Sequence, residues 1–169
     1  MRKETERSFR QLLSEHDRDF LRAVTPGVER AVREQEFDNG FSACAKDVIG
    51  PVMTSLRGMM HDHGLRSEIV VTRRGTASDG KITPSSIAFE FHVLTDPETH
   101  GFPVTTPALT FIADPANNRV LVHENSILPF LGGHVGMIDQ CELDGVTSGF
   151  VEKHLLAIAQ KVLRGTGVT

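Results

Sequence analysis

Apolar and polar positions alternate along the chain with two periods, about 3.6 residues in the first third and 2 in the middle. From Glu4 to Val24 the apolar residues Phe9, Leu12, Leu13, Phe20, Leu21 and Val24 recur at three- and four-residue steps, with one gap over Glu15 to Asp19. The spacing predicts a helix with a narrow apolar stripe, ended by Thr25-Pro26-Gly27. So charged a helix lies on something rather than inside it. Phe9, Leu13, Phe20 and Val24 are therefore candidate interface residues for a partner subunit.

A second helical stretch runs from about Val28 to His63, with Phe41, Cys44, Val48, Val52, Leu56, Met59 and Met60 on one stripe. Asp38-Asn39-Gly40 is a candidate break in its first part. Gly50-Pro51 is expected to kink or divide it, because proline lacks a donor and crowds the preceding turn. Gly64 supplies a residue able to close the helix in a left-handed conformation.

Beyond Gly64 the period falls to 2. "SEIVVTRRG" reads as a strand followed by the turn "GTASDGK". "SSIAFEFHVL" sets Ile87, Phe89, Phe91 and Val93 against Ala88, Glu90, His92 and Leu94. "PALTFIA" and "RVLVHENSI" flank the turn "DPANN" as hairpin partners, and "VGMIDQCEL" is a weaker fifth strand. A last amphipathic helix near Thr147 to Leu163 carries Val151, Leu155, Ile158 and Val162 on one face, with Thr147 or Ser148 as N-cap and Gly165 as stop.

This order predicts an α+β fold: an antiparallel four- to five-stranded sheet, two N-terminal helical segments and a C-terminal helix packed on it. No repeat or linker divides the chain. It reads as a single domain over 1–169, helical in 1–63, sheet in 64–145 and helical again in 146–165.

Composition narrows the function classes. The ten aromatic residues are all Phe, and the net charge is −4. Neither base stacking nor phosphate neutralisation is favoured, so no nucleic-acid role is expected. Between Asp96 and Phe150 seven acids (Asp96, Glu98, Asp114, Glu124, Asp139, Glu142, Asp144) face one base, Arg119. This suits a basic protein partner or a cationic ligand, or simply a solvated face. Cys44 and Cys141 each sit in an apolar-periodic segment and read as buried thiols of a reducing compartment rather than a disulfide. No apolar region follows "MRKETERSFR", and no uncharged run reaches the ~20 residues that span a bilayer. A cytoplasmic location without membrane contact is expected.

Familiar catalytic motifs are absent: there is no Gly-x-Ser-x-Gly, Walker loop, Gly-x-Gly-x-x-Gly or Cys-x-x-Cys. "HENSI" begins like a zinc-protease helix but has no histidine four residues after His123. In "GMMHDHG", His61 and His63 are candidate ligands for a transition metal. On a helix they stand about 200° apart and cannot share an ion; in an extended segment they can. A histidine also suits a helix C-terminus, where it complements the dipole.

The sheet offers a second candidate. Alternation puts Glu90, His92, Thr110 and His123 on one face, either a pocket lining, if something covers that face, or a solvated surface. Two connections stand out: Thr95 to Pro107, long for a hairpin link, and "LPFLGGHVG", Leu128 to Gly136, where His134 follows two glycines. The latter reads as a lid, a partner contact or a packed crossover.

The function expected from these features is a small interaction or ligand-binding module, homodimeric and without an assigned reaction. The runner-up is a metal-assisted hydrolase drawing on His61, His63, His92, His123 and Glu124, with Glu90 or Glu124 activating a metal-bound water. A small-molecule carrier with an apolar pocket under the sheet is the third.

Overall fold

In β4, Ser86–His92, every second side chain, Ile87, Phe89 and Phe91, is almost fully buried, while the intervening ones are half-buried or exposed. The same alternation recurs in β5, Ala108–Asp114, and β6, Arg119–Asn125. A strand with one apolar and one polar face pairs with its neighbours so that the apolar faces merge. The computed structural model describes residues 3–92, 106–128 and 132–165, with side chains from residue 7 onward. Val93 and Leu94, most of the Thr95–Pro107 link and residues 129–131 of the second connection lie outside the described residues.

The strands make one antiparallel sheet. β1, Arg66–Thr72, is at one edge and β7, Val135–Cys141, at the other, in the order β1-β4-β5-β6-β7. The "GTASDGK" turn contains a small hairpin of its own, β2, Gly75–Thr76, with β3, Ile82–Thr83. The fold is therefore α+β with a five-stranded antiparallel sheet.

The long N-terminal helix α1 spans Lys3–Cys44 and α2 spans Gly50–Asp62, with a five-residue π turn, Ala45–Ile49, between them. α3 spans Ser148–Gly165, and the Phe150 N–H bonds to the Thr147 hydroxyl at 3.2 Å, so Thr147 caps it. Two compact units result, 1–36 and 37–169. The first is helical throughout its described residues. In the second, Phe41, Ile49, Met53 and Met60 share the core with Phe89, Phe111 and Val122 of the sheet and with Val151, Leu155, Ile158 and Val162 of α3. Each such side chain contributes about 1.5–3 kcal/mol by leaving water. No helix among the described residues is long and apolar enough to cross a membrane.

Two expected helix breaks do not occur. Thr25-Pro26-Gly27 lies inside α1. Proline there lacks the N–H that would reach the Arg22 carbonyl, and the Thr25 hydroxyl bonds back to the Leu21 carbonyl at 2.6 Å without replacing that bond; the helix runs on through the single lost donor. Asp38-Asn39-Gly40 is helical as well: the Ser42 hydroxyl bonds the Asp38 carbonyl at 2.9 Å, and Gly40 sits so close to Leu143 that a Cβ would meet its Cδ2 at 2.8 Å.

The division falls at Gly50-Pro51 instead. The Gly50 N–H reaches the Ala45 carbonyl, an i→i−5 bond, and this widened turn relieves the crowding between the Pro51 ring and the preceding carbonyls.

At the end of α2 the Gly64 N–H bonds to His61 O at 2.9 Å and the Leu65 N–H to Met60 O at 2.9 Å, the paired bonds of a Schellman cap, with Gly64 at φ 75°. Gly64→Ala is expected to lower stability by about 1–2 kcal/mol, the penalty of a side chain in the left-handed region. Thermal denaturation of the variant measures it.

Candidate functional site

Two groups of polar side chains lie on opposite faces of the sheet. On the open face, the β1–β4 register sets Glu68 directly opposite Glu90, and Arg66 opposite His92. Alternation along β4 returns His92 to the same side as Glu90. His92 Nε2 is 3.5 Å from Glu90 Oε2 and 3.6 Å from Glu68 Oε2. One ligand atom from each of the three residues lies within 4.8 Å of the other two.

Glu68, His92, Arg66 and Ser67 also line a groove of about 960 Å³ at the β1 edge, together with Arg57, His61 and Asp62 of α2. The Ser67 hydroxyl oxygen is shut off from solvent and has no hydrogen-bond partner. Among the described residues the other such side-chain atom is Asp38 Oδ1.

Thr110 and His123 stand on the same open face. They are direct partners in the β5–β6 register, but one cross-strand row away from Glu90, whose partner on β5 is Ala108. A register shift between Val122 and His123 then sets His123 against Met137 of β7. The four residues named from alternation thus share a face, and only Glu90 and His92 fall within one ligand-sized cluster.

Glu124 follows His123 in the chain and so points to the other, helix-covered face. It is 2 % exposed. Lys161 of α3 donates to its Oε1 at 2.7 Å and its Oε2 at 2.9 Å, and the Ser126 hydroxyl donates to Oε1 at 2.6 Å. The Ser126 hydroxyl in turn accepts the His134 main-chain N–H at 3.1 Å. Burial pushes the Glu124 carboxyl up. The hydrogen bonds from Lys161 and Ser126, with the charges of Lys161 and His134, outweigh it and hold the group below its ordinary value. With both oxygens engaged in the interior, Glu124 cannot activate a water held by His123 or His92.

His61 and His63 occupy the end of α2 and its cap. His61 lines the groove beside Glu68 and His92, and the metal-sized group among the described residues is Glu68, Glu90 and His92. Cys44 and Cys141 are free thiols, half-buried, and desolvation raises both above the usual thiol range.

Glu68 is the member of the open-face cluster that periodicity did not single out, because its partnership with Glu90 depends on the β1–β4 register. Lys161 and the buried His154, whose Nε2 lies 3.0 Å from Asp139 Oδ2, were missed for the same reason: their partners come from distant strands. No protein-family model, no curated protein and no solved structure matches the chain.

Proposed function

We propose that this chain is a protein-interaction module that forms a homodimer through the N-terminal part of α1. The observation that carries this is the exposed stripe on that helix. Phe9, Leu12, Leu13, Phe20, Leu21, Val24, Val28 and Val32 are 40–61 % exposed. A soluble helix rarely leaves so many large apolar side chains in water, and a contiguous stripe of this kind marks a contact surface.

Two features favour a second copy as the occupant. The spacing is mirrored about the His16–Asp17 step: Phe9, Leu12 and Leu13 on one side answer Val24, Leu21 and Phe20 on the other. An antiparallel copy therefore meets apolar residues with apolar residues, and the same patch serves both partners, as in a two-fold contact. Phe9 to Phe20, Leu13 to Val24 and Leu21 to Val32 are each eleven residues apart, a repeat that keeps two nearly straight helices in contact.

The free thiols fit a reducing, cytoplasmic setting. The acids of the second half suit a cationic ligand or a basic partner for the assembled dimer.

Light scattering across a dilution series tests the reading. The wild-type chain is expected at twice the mass of one chain. Phe20→Glu, which buries a charge at the middle of the stripe, is expected to weaken the dimer by about 2 kcal/mol or more, roughly 30-fold in Kd. A wild-type monomer at high micromolar concentration overturns the proposal.

A further inference from the structure

We infer that Glu68, Glu90 and His92 form a binding site for a divalent transition-metal ion such as zinc. The argument begins with the register. Two carboxylates directly opposite each other on paired strands repel, and such a pair is normally destabilising. Arg66 is the neighbouring base on that face, across from His92, yet no described ion pair joins it to either carboxylate.

The His92 ring stands between the two carboxylates, but its distances are not those of an ion pair that has closed. Charge-assisted N–H···O contacts draw in to roughly 2.7–2.9 Å. Lys161 closes on Glu124 to 2.7 Å and His154 on Asp139 to 3.0 Å, each pair with one buried partner, while the exposed Lys81–Asp79 pair stands at 3.5 Å. His92 Nε2 keeps 3.5 and 3.6 Å from one oxygen of Glu90 and one of Glu68. Neighbouring ligands around a tetrahedral ion with bonds of about 2.0–2.1 Å lie about 3.4 Å apart. Two of the three separations match that value, and one ligand atom from each residue lies within 4.8 Å of the others.

The donor set agrees. One imidazole nitrogen and two carboxylate oxygens suit a borderline ion such as Zn²⁺, and three protein ligands leave a coordination position for water. The ligands sit on two paired strands, so their backbone is fixed before the ion arrives. The groove lined by Glu68 and His92 gives access, with His61 and Asp62 on its α2 wall. All three ligands belong to the 37–169 unit, whereas the stripe proposed for self-association lies in the 1–36 unit.

The test is calorimetric titration of chelator-treated, untagged protein with zinc chloride, paired with the visible spectrum of the cobalt(II)-loaded protein. The expected result is one ion per chain and a cobalt spectrum of four-coordinate intensity. Glu68→Gln, Glu90→Gln and His92→Gln are each expected to lose at least ~10-fold in affinity, with unchanged circular dichroism. His63→Gln and Phe20→Glu are expected to bind as wild type. Absence of zinc binding by the wild-type chain overturns the inference. So does binding that survives His92→Gln, or that His63→Gln abolishes, since the ion would then sit elsewhere.

Discussion

Gly133→Ala is expected to destabilise the chain by about 4 kcal/mol, among the largest effects a single methyl group can have. A Cβ at this position would stand 2.3 Å from the Ser126 carbonyl oxygen, 2.6 Å from its carbon and 2.7 Å from Ile127 Cα. All three are backbone atoms, so no side chain can swing aside. The backbone here also has φ 155°, a region that side chains rarely enter. Relief requires the two chain segments to separate. That breaks the bonds they exchange, Ser126 N–H to His134 O at 2.9 Å and His134 N–H to the Ser126 hydroxyl. In a chain of this length 4 kcal/mol corresponds to a fall in Tm of roughly 8–16 °C, which calorimetry measures directly. An unchanged Tm would mean that the segment repacks freely and that its glycine is incidental.

The same segment supports the second large effect. Glu124→Gln is expected to cost about 3 kcal/mol, because it removes one partner of a buried ion pair. The figure lies at the low end of the range for such losses, since the Lys161 side chain is 54 % exposed and its ammonium regains water. The variant also changes the pH dependence. Glu124 in the folded chain titrates below its ordinary value of 4.5, so the folded state holds the ionised form more strongly than the unfolded state does. Its contribution is present in full above about pH 4.5 and disappears as pH falls through the lower folded value. Chemical denaturation from pH 7 downward should therefore show wild type and Glu124→Gln converging below pH 4.5. A constant gap between them would assign the loss to packing rather than charge. Because Ser126 touches both Glu124 and the segment at Gly133, the two substitutions are coupled, and the double variant should lose less than the sum of the two single losses.

The elements of the fold were legible because each rests on a local pattern. Ile87, Phe89 and Phe91 alternate, and so they define a strand with one buried face. Val151, Leu155, Ile158 and Val162 recur at helical spacing, and Thr147 precedes them with a hydroxyl that can cap. Gly64 stands where a helix must end. The stop expected at Pro26 does not occur because a proline removes one backbone bond, the one to the Arg22 carbonyl, and a helix of 42 residues keeps the rest.

The candidate site was legible only in part. Alternation placed Glu90 and His92 on one face without reference to any neighbour. It could not say that Glu68 stands beside them, nor that His123 is a row away and Glu124 is turned inward against Lys161. Those facts depend on register and on the docking of α3, which are set by how the whole apolar face closes over Phe89, Phe111 and Val122.

By itself, then, the sequence determined the kinds of element, their order, the antiparallel sheet and the apolar stripe of α1, because periods of 3.6 and 2 are properties of a chain segment alone. The tertiary structure alone decided which charges meet. Glu68 and Glu90 are 22 positions apart and Glu124 and Lys161 are 37 apart; no local period relates them, and only the burial of a common core brings them within reach.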